Sequence, residues 1–385
     1  MNAIRDQIKT FCQSLGFGPV GFIKPSKYKT YPHYKNWIDA GYHGEMHYLA
    51  SERSLNFRES PLALMPDCKT IIVLAFRYPG DTLADKNDQS VIPLIASYAR
   101  GVDYHIFLPA HMQQIVAYIQ ESFKHEINAL CFTDSAPILE KELGVQAGLG
   151  WIGKNSCLIN PKIGSYFFIS EILLDVDLFS SVGESESQIS DHCGNCRRCI
   201  DVCPTHCILD DRTLDASNCI AYLTIENKGS IPDEVRILVG NHLFGCDLCQ
   251  QVCPWNNMNN ERIEDLPGNR LFFEHLNTAI NEPITENKVF HHYFRDTALF
   301  RSKRHGFYRN LAVTMGNLPL SINLSVLKSL IKDPSLLVRQ HAMWALNNFP
   351  ENEIITLLRN ILKDEMDDNI RGEIKLILKT KETQK

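Results

Sequence analysis

Cysteines between residues 193 and 253 are spaced in a way that can hold iron–sulfur clusters. The first run is Cys193-x2-Cys196-x2-Cys199-x3-Cys203-Pro204, and the second is Cys246-x2-Cys249-x3-Cys253-Pro254. Bacterial ferredoxins hold cubane clusters with the first of these runs, and the cysteine before the proline ligates the other of their two clusters. The spacing therefore predicts two [4Fe–4S] clusters and a role in electron transfer.

The second run is one ligand short, because Leu243 stands where the partner of Cys193 would fall. Two clusters need eight thiolates, and Cys219, between the runs, is the natural eighth. Crossed ligation then assigns Cys193, Cys196, Cys199 and Cys253 to one cluster and Cys203, Cys219, Cys246 and Cys249 to the other. Cys207 could replace Cys219, but it is only four residues past Cys203 and ranks second. A zinc site also uses C-x2-C pairs, but two pairs suffice for it and it has no need of Cys-Pro.

The rest of the composition favours a cytoplasmic enzyme. The first residues, MNAIRDQIKTFCQSLGF, carry both charges and no apolar segment, unlike a signal peptide. Thirteen cysteines in such a chain are expected to be metal ligands rather than disulfides. No apolar run reaches the roughly 18 residues that span a membrane, so we expect no membrane association. The 385 residues are enough for two or three domains.

A basic region lies near the C-terminus of an acidic chain. Residues 290–350 carry eight Lys or Arg against two Asp, although the whole chain has a formal net charge of −6. This asymmetry favours a polyanionic partner, whereas a solvated basic face is the plainer interpretation.

The same region also repeats itself. Segments that begin at Arg309, Arg339 and Arg371 each place an arginine before an apolar helical stripe, which predicts HEAT-like helix pairs. Arg309 and Arg339 would then occupy equivalent positions and could face phosphates. The competing interpretation is that these arginines cap helices or pair with acids inside the repeats.

The N-terminal half is predicted to mix helices and strands. Apolar patterning favours helices near 3–15 and 106–126 and strands near 19–23, 70–77, 129–133 and 166–177. Asp134 follows the third of these strands, where it could line a site or cap a turn. The Gly148-x-Gly150-x-x-Gly153 motif matches a dinucleotide fingerprint, but a predicted helix precedes it and a strand follows, so nicotinamide binding is discounted.

Several segments resemble the epoxyqueuosine reductase family, which acts last in queuosine synthesis in tRNA. They are GYHGEMHYLA at 41–50, SYARGVDYH at 97–105, FTDSAP at 132–137, GLGWIGKNSCLINPKIGS at 148–165 and CIAYLTIENKG at 219–229, with both cysteine runs. The resemblance covers nearly the whole chain. It implies reduction of epoxyqueuosine to queuosine at the wobble position of tRNA, by cobalamin that is reduced through the two clusters.

The resemblance also implies site residues. The candidate cobalamin contacts are Phe57, Ser97, Asp134, Asn155, Leu158 and Ile169, with Arg58 and Lys154 beside acidic or amide side arms and Tyr222 facing the same pocket. Simple core packing is the competing interpretation for Phe57, Leu158 and Ile169. Asp134 is the expected proton donor to the opening epoxide, with Tyr104 and His105 as alternatives. The expected tRNA-binding residues are Arg301, Lys303, Arg304, Arg309 and Arg339.

We therefore expect a multidomain α/β protein. Residues 1–178 would form an α/β cobalamin-binding domain similar to that of reductive dehalogenases, residues 179–265 a ferredoxin-like module with two [4Fe–4S] clusters, and residues 266–385 a HEAT-like helical, tRNA-binding domain. A polar acidic segment at 180–191 would link the first two. The protein is expected to be a monomer that binds the anticodon stem-loop and takes electrons from an external donor such as flavodoxin or ferredoxin.

Two other functions compete with tRNA reduction. A reductive dehalogenase would use the same cofactors on a small substrate, and a ferredoxin-type carrier would perform no chemistry. The basic repeats favour the tRNA enzyme over the dehalogenase, and the long chain before Cys193 argues against a simple carrier.

Overall fold

The computed structural model describes residues 2–81, 93–124, 126–179, 189–257 and 263–383. Its contacts divide the chain into two compact units. Unit 1 comprises Met1–Asp88, Gly101–Cys219 and Asp247–Pro267, and unit 2 comprises Gln89–Arg100, Ile220–Cys246 and Gly268–Lys385. Most of the predicted acidic linker, residues 180–188, lies outside the described residues.

Strands and helices are numbered here in chain order. The strands are β1 (Phe17–Ile23), β2 (Thr70–Arg77), β3 (Leu94–Ile95), β4 (Ala129–Phe132), β5 (Trp151–Ile152), β6 (Leu158–Ile159), β7 (Phe167–Leu174) and β8 (His242–Phe244). The helices are α1 (Asn2–Ser14), α2 (Tyr31–Asp39), α3 (His47–Ala50), α4 (Glu52–Phe57), α5 (Tyr104–Phe123), α6 (Glu140–Gln146), α7 (Arg198–Val202), α8 (Ile220–Ile225), α9 (Asp233–Val239), α10 (Leu248–Gln251), α11 (Asn269–Asn281), α12 (Asn287–Phe294), α13 (Lys303–Asn317), α14 (Leu324–Leu330), α15 (Leu336–Asn347), α16 (Glu351–Asp364) and α17 (Asp368–Thr383). The helices and strands predicted for the N-terminal half are confirmed, with ends that differ by a few residues.

A four-stranded sheet organises unit 1. Its strand order is β1-β2-β7-β4, and every neighbouring pair is antiparallel. The strands are rich in the β-branched and aromatic residues that suit a sheet buried on both faces. The register places Glu171 of β7 between Val73 of β2 and Phe132 of β4. A carboxylic acid therefore lies at the centre of an apolar sheet.

Helices cover both faces of this sheet, as the period-2 alternation of strand side chains requires. On one face, Val73 and Leu173 pack in a core with Leu143 of α6. On the other face, the ring of Phe76 meets Phe107 of α5, with ring centroids 5.5 Å apart. Strand β4 is an edge strand of the sheet. The segment that follows it, which contains Asp134 and leads to α6, therefore lies at one edge of this layered core.

Short elements carry the cysteine runs. Helix α7 holds Cys199, and helix α10 holds Cys249. Strands β5 and β6 form a small antiparallel pair in the loop that contains Lys154. Both Cys-Pro ends break these helices early, because proline has no N–H to continue the hydrogen-bond ladder. The thiols are thus presented on tight turns in which few residues separate successive ligands.

Unit 2 is mostly helical. Helix α13 is its centre, since all of its residues from Gly306 to Gly316 are buried, and it packs against α15. Strands β3 and β8 form a short parallel pair in the same unit. The HEAT-like repeat and the three-domain boundaries stay predictions, but Ile220–Cys246, predicted to lie in the cluster module, groups with the C-terminal helices. None of the described helices is long and apolar enough to cross a membrane.

Candidate cluster sites and proton-donor site

Four predicted ligands of one cluster surround a single cavity in unit 1. Its lining includes Cys193, Cys196, Cys199 and Cys253, together with Lys154 and Trp255. Burial, and then the nearby thiols of Cys193 and Cys199, raise the pKa of Cys253 to about 11. Bound iron would reverse this effect, because a thiol that coordinates a cation is deprotonated. This donor set and its enclosure fit a cubane cluster.

Aromatic rings close the cavity on one side. The ring centroids of Trp151 and Trp255 lie 5.1 Å apart, and His192 stands 5.1 Å from Trp151 and 5.5 Å from Trp255. Limited solvent access is one of the properties that set the potential of an iron–sulfur cluster. The aromatic wall therefore contributes to a low-dielectric setting for the first cluster.

Lys154 is tied to the ligand loop of this cluster. Its Nζ donates hydrogen bonds to the carbonyl oxygens of Gly194 at 2.7 Å and Cys196 at 2.9 Å. The backbone N–H of Cys193 donates to Asp191, which also pairs with Arg212. The sequence placed Lys154 beside a cofactor side arm, and that contact stays a prediction, but its ammonium group already has partners in the cluster loop.

Three predicted ligands of the second cluster meet in another part of unit 1. Cys203, Cys219 and Cys249 pack, together with Cys199 of the first ligand set, around a small buried group that includes Ile200 and Cys207. The Sγ atoms of Cys203 and Cys207 are 3.4 Å apart, so Cys207 remains an alternative ligand on geometry. The fourth candidate, Cys246, ends a segment of unit 2. Leu243, which takes the position of the absent eighth cysteine, is fully buried in β8.

The cysteines are not arranged for a single metal ion. No group of three or more His, Cys, Asp or Glu in the described parts of the chain has that arrangement. Four cysteines on zinc would each bring sulfur to about 2.3 Å from one point, whereas cubane ligands attach to four different irons.

Asp134 lies two residues past the end of β4 with an exposed side chain. Its backbone has φ +49°, a left-handed conformation that is uncommon for residues other than glycine and often marks functional sites. Its N–H donates to Glu140 Oε1 at 2.6 Å, and its Oδ2 accepts from the hydroxyl of Tyr104 at 3.0 Å. Backbone and side chain of Asp134 are therefore held by two different partners.

Tyr104 and His105, the alternative proton donors, lie beside Asp134 as the sequence predicted. The ring of Tyr104 stacks on Phe168 with centroids 4.3 Å apart. The Nδ1 atom of His105 is 2.7 Å from the carboxylate of Asp103, which also caps α5. Burial acts against protonation of His105, but the hydrogen bond to Asp103 and the charges of Asp103 and Asp134 raise its pKa overall. The site therefore combines a carboxyl, a phenol and an imidazole that favours its charged form.

Two further acids in this region escaped the sequence analysis. Glu140 begins α6 and accepts the Asp134 N–H, and burial and then Asp134 raise its pKa to about 8. Glu171 is fully buried, and burial, then Glu140, then Asp134 raise its pKa well above the usual value. A charged residue inside the apolar run FFISEILL was the available signal for Glu171. No local sequence pattern pointed to Glu140.

Most candidate cobalamin contacts of unit 1 already have protein partners. Leu158 and Ile169 pack in the core beside α6, which agrees with the core-packing alternative. Asn155 accepts from the N–H of Cys157 at 3.2 Å. Arg58 donates to Ser54, and its guanidinium lies over the ring of Tyr34.

The glycine-rich loop is explained by the packing of the chain on itself. A Cβ at Gly150 would stand 2.1 Å from the carbonyl oxygen of Ile159, so glycine lets β5 approach β6. Positive φ angles nevertheless occur at Asp134 and at Ser156, in two of the segments that the resemblance assigns to the cofactor. Of the candidate contacts in unit 1, Asp134 is exposed and Phe57 is half-buried, so these two side chains retain surface for a bound corrin. The other two candidates, Ser97 and Tyr222, are buried in unit 2.

The predicted row of phosphate-binding arginines requires correction at Arg309 and Arg304. Arg309 is fully buried and donates to the carbonyl oxygens of Leu223, Asn227 and Gly229 at 2.6–2.8 Å. Arg304 is also buried and forms a two-pronged ion pair with Asp333 at 2.7 and 2.8 Å. Neither guanidinium can reach a phosphate, so the prediction was wrong for both, and the competing internal role is correct.

The remaining three basic candidates differ in exposure. Arg339 is mostly buried and bonds to the carbonyl oxygen of Asp333 and to Glu365, so it too is internal. The side chain of Arg301 is 55% exposed, although it pairs with Glu226. Lys303 is exposed, with its Nζ 4.0 Å from the ring centroid of Phe300. Lys228, which the sequence analysis missed, donates to the Arg301 carbonyl oxygen at 2.9 Å.

Two protein-family models match the chain. "4Fe-4S double cluster binding domain" matches residues 192–256, and "Epoxyqueuosine reductase QueG, DUF1730" matches residues 58–135. The first span contains every predicted cluster ligand, so the chain carries a double [4Fe–4S] domain. The second contains Asp134 and Tyr104.

Curated relatives align along most of the chain. Epoxyqueuosine reductase from Pseudomonas aeruginosa is 39% identical over 356 residues, which cover 90% of this chain and 95% of that protein. The enzyme of the same name from Escherichia coli strain K12 is 33% identical and covers 90% of this chain and 89% of its own. That from Cyclobacterium marinum is 36% identical over 79% of this chain and 94% of its own.

Solved structures share the fold. An epoxyqueuosine reductase crystallised with a tRNA-Tyr epoxyqueuosine-modified stem loop superposes with a TM-score of 0.84 at 24% identity, covering 99% of both chains. The enzyme from Streptococcus thermophilus gives a TM-score of 0.83 at 24% identity, also over 99% of both chains. At this identity the likeness establishes the fold alone.

Proposed function

Because this chain belongs to the epoxyqueuosine reductase family, we propose that it reduces epoxyqueuosine to queuosine at the wobble position of tRNA. One observation carries the proposal. The two family models fall on the two parts of the chain that have suitable chemistry, the cysteine cavity and the Asp134 site. Removal of the epoxide oxygen as water takes up two electrons and two protons and leaves a carbon–carbon double bond.

The electrons enter through the two clusters. We assign Cys193, Cys196, Cys199 and Cys253, which line one cavity, to one of them, and Cys203, Cys219, Cys246 and Cys249 to the other. An external carrier such as flavodoxin or ferredoxin supplies the electrons. Cobalamin, when bound, provides the low-potential centre that passes them to the substrate, and Asp134, Tyr104 and Phe57 are the residues that would contact it.

Asp134 supplies the proton that the opening epoxide oxygen needs. General acids of this kind contribute about 10²–10⁴-fold to a rate. After transfer, the resulting carboxylate is stabilised by the Tyr104 hydroxyl, which donates to Oδ2, and by the positive charge favoured on His105. Glu140 fixes the backbone of Asp134 through its N–H. These contacts orient the acid and favour its product form.

The tRNA binds as an anticodon stem-loop, and the modified base must leave the loop to reach the site. Arg301 and Lys303 provide the exposed positive charge for its phosphates, with Lys228 beside them. Buried Arg304, Arg309 and Arg339 instead hold unit 2 together. The protein acts as a monomer in the cytoplasm, where tRNA is found.

A comparison of two substrates tests this function. Protein that is loaded with cobalamin and both clusters, and chemically reduced, is given either an epoxyqueuosine stem-loop or a halogenated phenol. We expect mass spectrometry of the nucleosides to show loss of one oxygen, with no halide released from the phenol. Halide release with an unchanged nucleoside would support the dehalogenase alternative and overturn the proposal.

A further inference from the structure

Two polar side chains reach the sulfur of Cys203, the last cysteine of the first run. The hydroxyl oxygen of Thr205 lies 3.5 Å from Cys203 Sγ, and the Sγ atom of Cys207 lies 3.4 Å from it. Both contacts are close enough for hydrogen bonds that involve sulfur, which is a weak donor and a weak acceptor. Neither Thr205 nor Cys207 is among the eight assigned cluster ligands. One ligand of the second cluster therefore has two polar neighbours that do not bind iron.

The main chain fixes this contact. The N–H of His206 donates to the carbonyl oxygen of Cys203 at 3.2 Å, and His206 has φ +51°, so the chain turns sharply between the two cysteines. On the far side of the turn, the N–H of Asp215 donates to the carbonyl oxygen of Cys207 at 2.8 Å. Because these bonds belong to the backbone, the side chains in the turn remain neighbours when Cys203 binds iron.

Cys207 is left without an iron of its own. The assigned set of Cys203, Cys219, Cys246 and Cys249 already provides one thiolate for each of the four irons in the second cluster. Cys207 is 4% exposed and packs with Ile200 and Ile208. A cysteine in apolar surroundings keeps its proton. Cys207 is therefore a buried S–H group in contact with a ligand.

Iron binding decides which atom of each contact donates. A ligand thiolate has lost its proton, so the Sγ atom of Cys203 can only accept, and Thr205 Oγ1 and Cys207 Sγ must donate. Hydrogen bonds to the sulfurs are among the factors that set the potential of an iron–sulfur cluster. They stabilise the reduced cluster more than the oxidised cluster, because reduction adds negative charge. Each donor should therefore raise the midpoint potential.

We propose that Thr205 and Cys207 donate hydrogen bonds to the Cys203 ligand and together raise the midpoint potential of the second cluster. This inference rests on the proposed assignment of Cys203 to that cluster. Both are positioning residues in the sense that they act through Cys203 and do not touch the substrate.

Redox titration followed by paramagnetic resonance tests the two donors without tRNA. We expect Cys207→Ala to keep its full iron content and to move the midpoint potential of one cluster to a more negative value. At a fixed potential, the ratio of reduced to oxidised cluster should fall about threefold, which corresponds to roughly 30 mV for one electron. Thr205→Val keeps the shape of the side chain without the hydroxyl and should shift the same cluster in the same direction. Full iron with an unshifted potential in either variant would overturn the proposal.

Two further variants separate hydrogen bonding from packing. Cys207→Ser keeps a donor at the same position, so its potential should lie closer to that of the wild type than the potential of Cys207→Ala does. The matched control is Cys68→Ala, which removes another buried thiol of unit 1 and should leave both potentials unchanged. The Sγ atom of Cys68 lies 3.5 Å from the carbonyl oxygen of Thr70 and contacts no cysteine run. Equal shifts in Cys207→Ser and Cys207→Ala would show that packing is lost rather than a donor, and would contradict the proposal.

Pulsed paramagnetic resonance in D₂O observes the donated hydrogen directly. The reduced second cluster of the wild type should couple to exchangeable deuterons, and Cys207→Ala should lose one of these couplings. Iron content distinguishes a donor from a ligand in the same samples. If Cys207→Ala lost iron toward half, Cys207 would be a ligand and the proposal would be wrong.

Failure of this inference is distinguishable from failure of the proposed function. If wild-type protein removes oxygen from the nucleoside but the variants keep its potentials, the function stands and the two donors are wrong. If the potentials shift as expected but the wild type removes no oxygen, the donors stand and the function is wrong.

Discussion

The Nζ atom of Lys154 donates a hydrogen bond to the carbonyl oxygen of Cys196 at 2.9 Å and, from the same ammonium group, to that of Gly194 at 2.7 Å. One positive charge is thereby fixed against the loop that presents two ligands of the first cluster. Lys154 belongs to the loop between β5 and β6, so that loop and the ligand loop are held together. Hydrogen bonding and charge around a cluster are among the factors that set its potential.

Replacement of Lys154 should change the first cluster. We expect Lys154→Met to move its midpoint potential to a more negative value, because a nearby cation favours the reduced and more negative form. Some iron should also be lost, since the ligand loop loses two hydrogen bonds. Redox titration followed by paramagnetic resonance measures the potential. Lys154→Arg keeps the charge and should stay near the wild type, and an unshifted potential in the Met variant would contradict this role.

The eighth cluster ligand can be identified by paired serine variants. We expect Cys219→Ser to lower iron content toward half or to destabilise one cluster, whereas Cys207→Ser should retain both. The comparison is demanding, because Cys203 lies 3.4 Å from Cys207 and packs in the same group as Cys219. Iron analysis and paramagnetic resonance provide the readout. If the Cys219 variant kept its full iron content and the Cys207 variant lost iron, Cys207 would be the eighth ligand in place of Cys219.

Arg309 should matter for stability rather than for RNA. Arg309→Ala leaves the carbonyl oxygens of Leu223, Asn227 and Gly229 without a donor, and each buried unsatisfied group costs about 1–3 kcal/mol. We expect a lower melting temperature and an unchanged salt dependence of tRNA affinity. The matched double variant Arg301→Ala with Lys303→Ala should keep its melting temperature and flatten the salt slope by about 0.9 per lost duplex contact. If Arg309→Ala instead flattened the salt slope and kept its melting temperature, Arg309 would be a phosphate contact, as the sequence first predicted.

His341 should make unit 2 sensitive to acid. Its Nε2 accepts the N–H of Ile231 at 3.1 Å, and burial and then Arg236 lower its pKa to about 3. Between about pH 6.5 and 3 the unfolded chain therefore binds this proton more readily, so His341 removes stability as pH falls through that range. Melting curves at about pH 7 and pH 5 should show a smaller acid-induced loss in His341→Gln than in the wild type.

The test compares the acid-induced loss of melting temperature in the wild type with that in His341→Gln. Glu140 and Glu171 have raised pKa values and act with the opposite sign, because the folded state holds their protons more tightly and gains stability as pH falls toward about 4.5. Their contribution is common to both proteins and cancels. Equal pH dependence in wild type and variant would show that His341 is not the buried neutral group described here.

The sequence predicted best what depends on spacing. Cys193, Cys196 and Cys199 are close in the chain, and the ferredoxin pattern adds Cys253, so their common cavity follows from local geometry. The sequence was least informative about which charged side chains are buried. A count of charges cannot tell that Arg309 lies inside a helical core or that Arg301 lies at its surface. Likewise, Glu140 reaches Asp134 only because the chain turns between β4 and α6.

The most direct test of Asp134 as the proton donor in epoxyqueuosine reduction is Asp134→Asn, assayed on the modified stem-loop. Wild-type and variant proteins, both checked for cobalamin and iron, are reduced and mixed with an epoxyqueuosine stem-loop, and the nucleosides are analysed by mass spectrometry. We expect the wild type to convert epoxyqueuosine to a product one oxygen lighter, and the variant, with full cofactor content, to be slower by about 10²-fold or more because it lacks the general acid. Conversion by the variant within tenfold of the wild type, or no loss of oxygen by the wild type, would contradict this expectation.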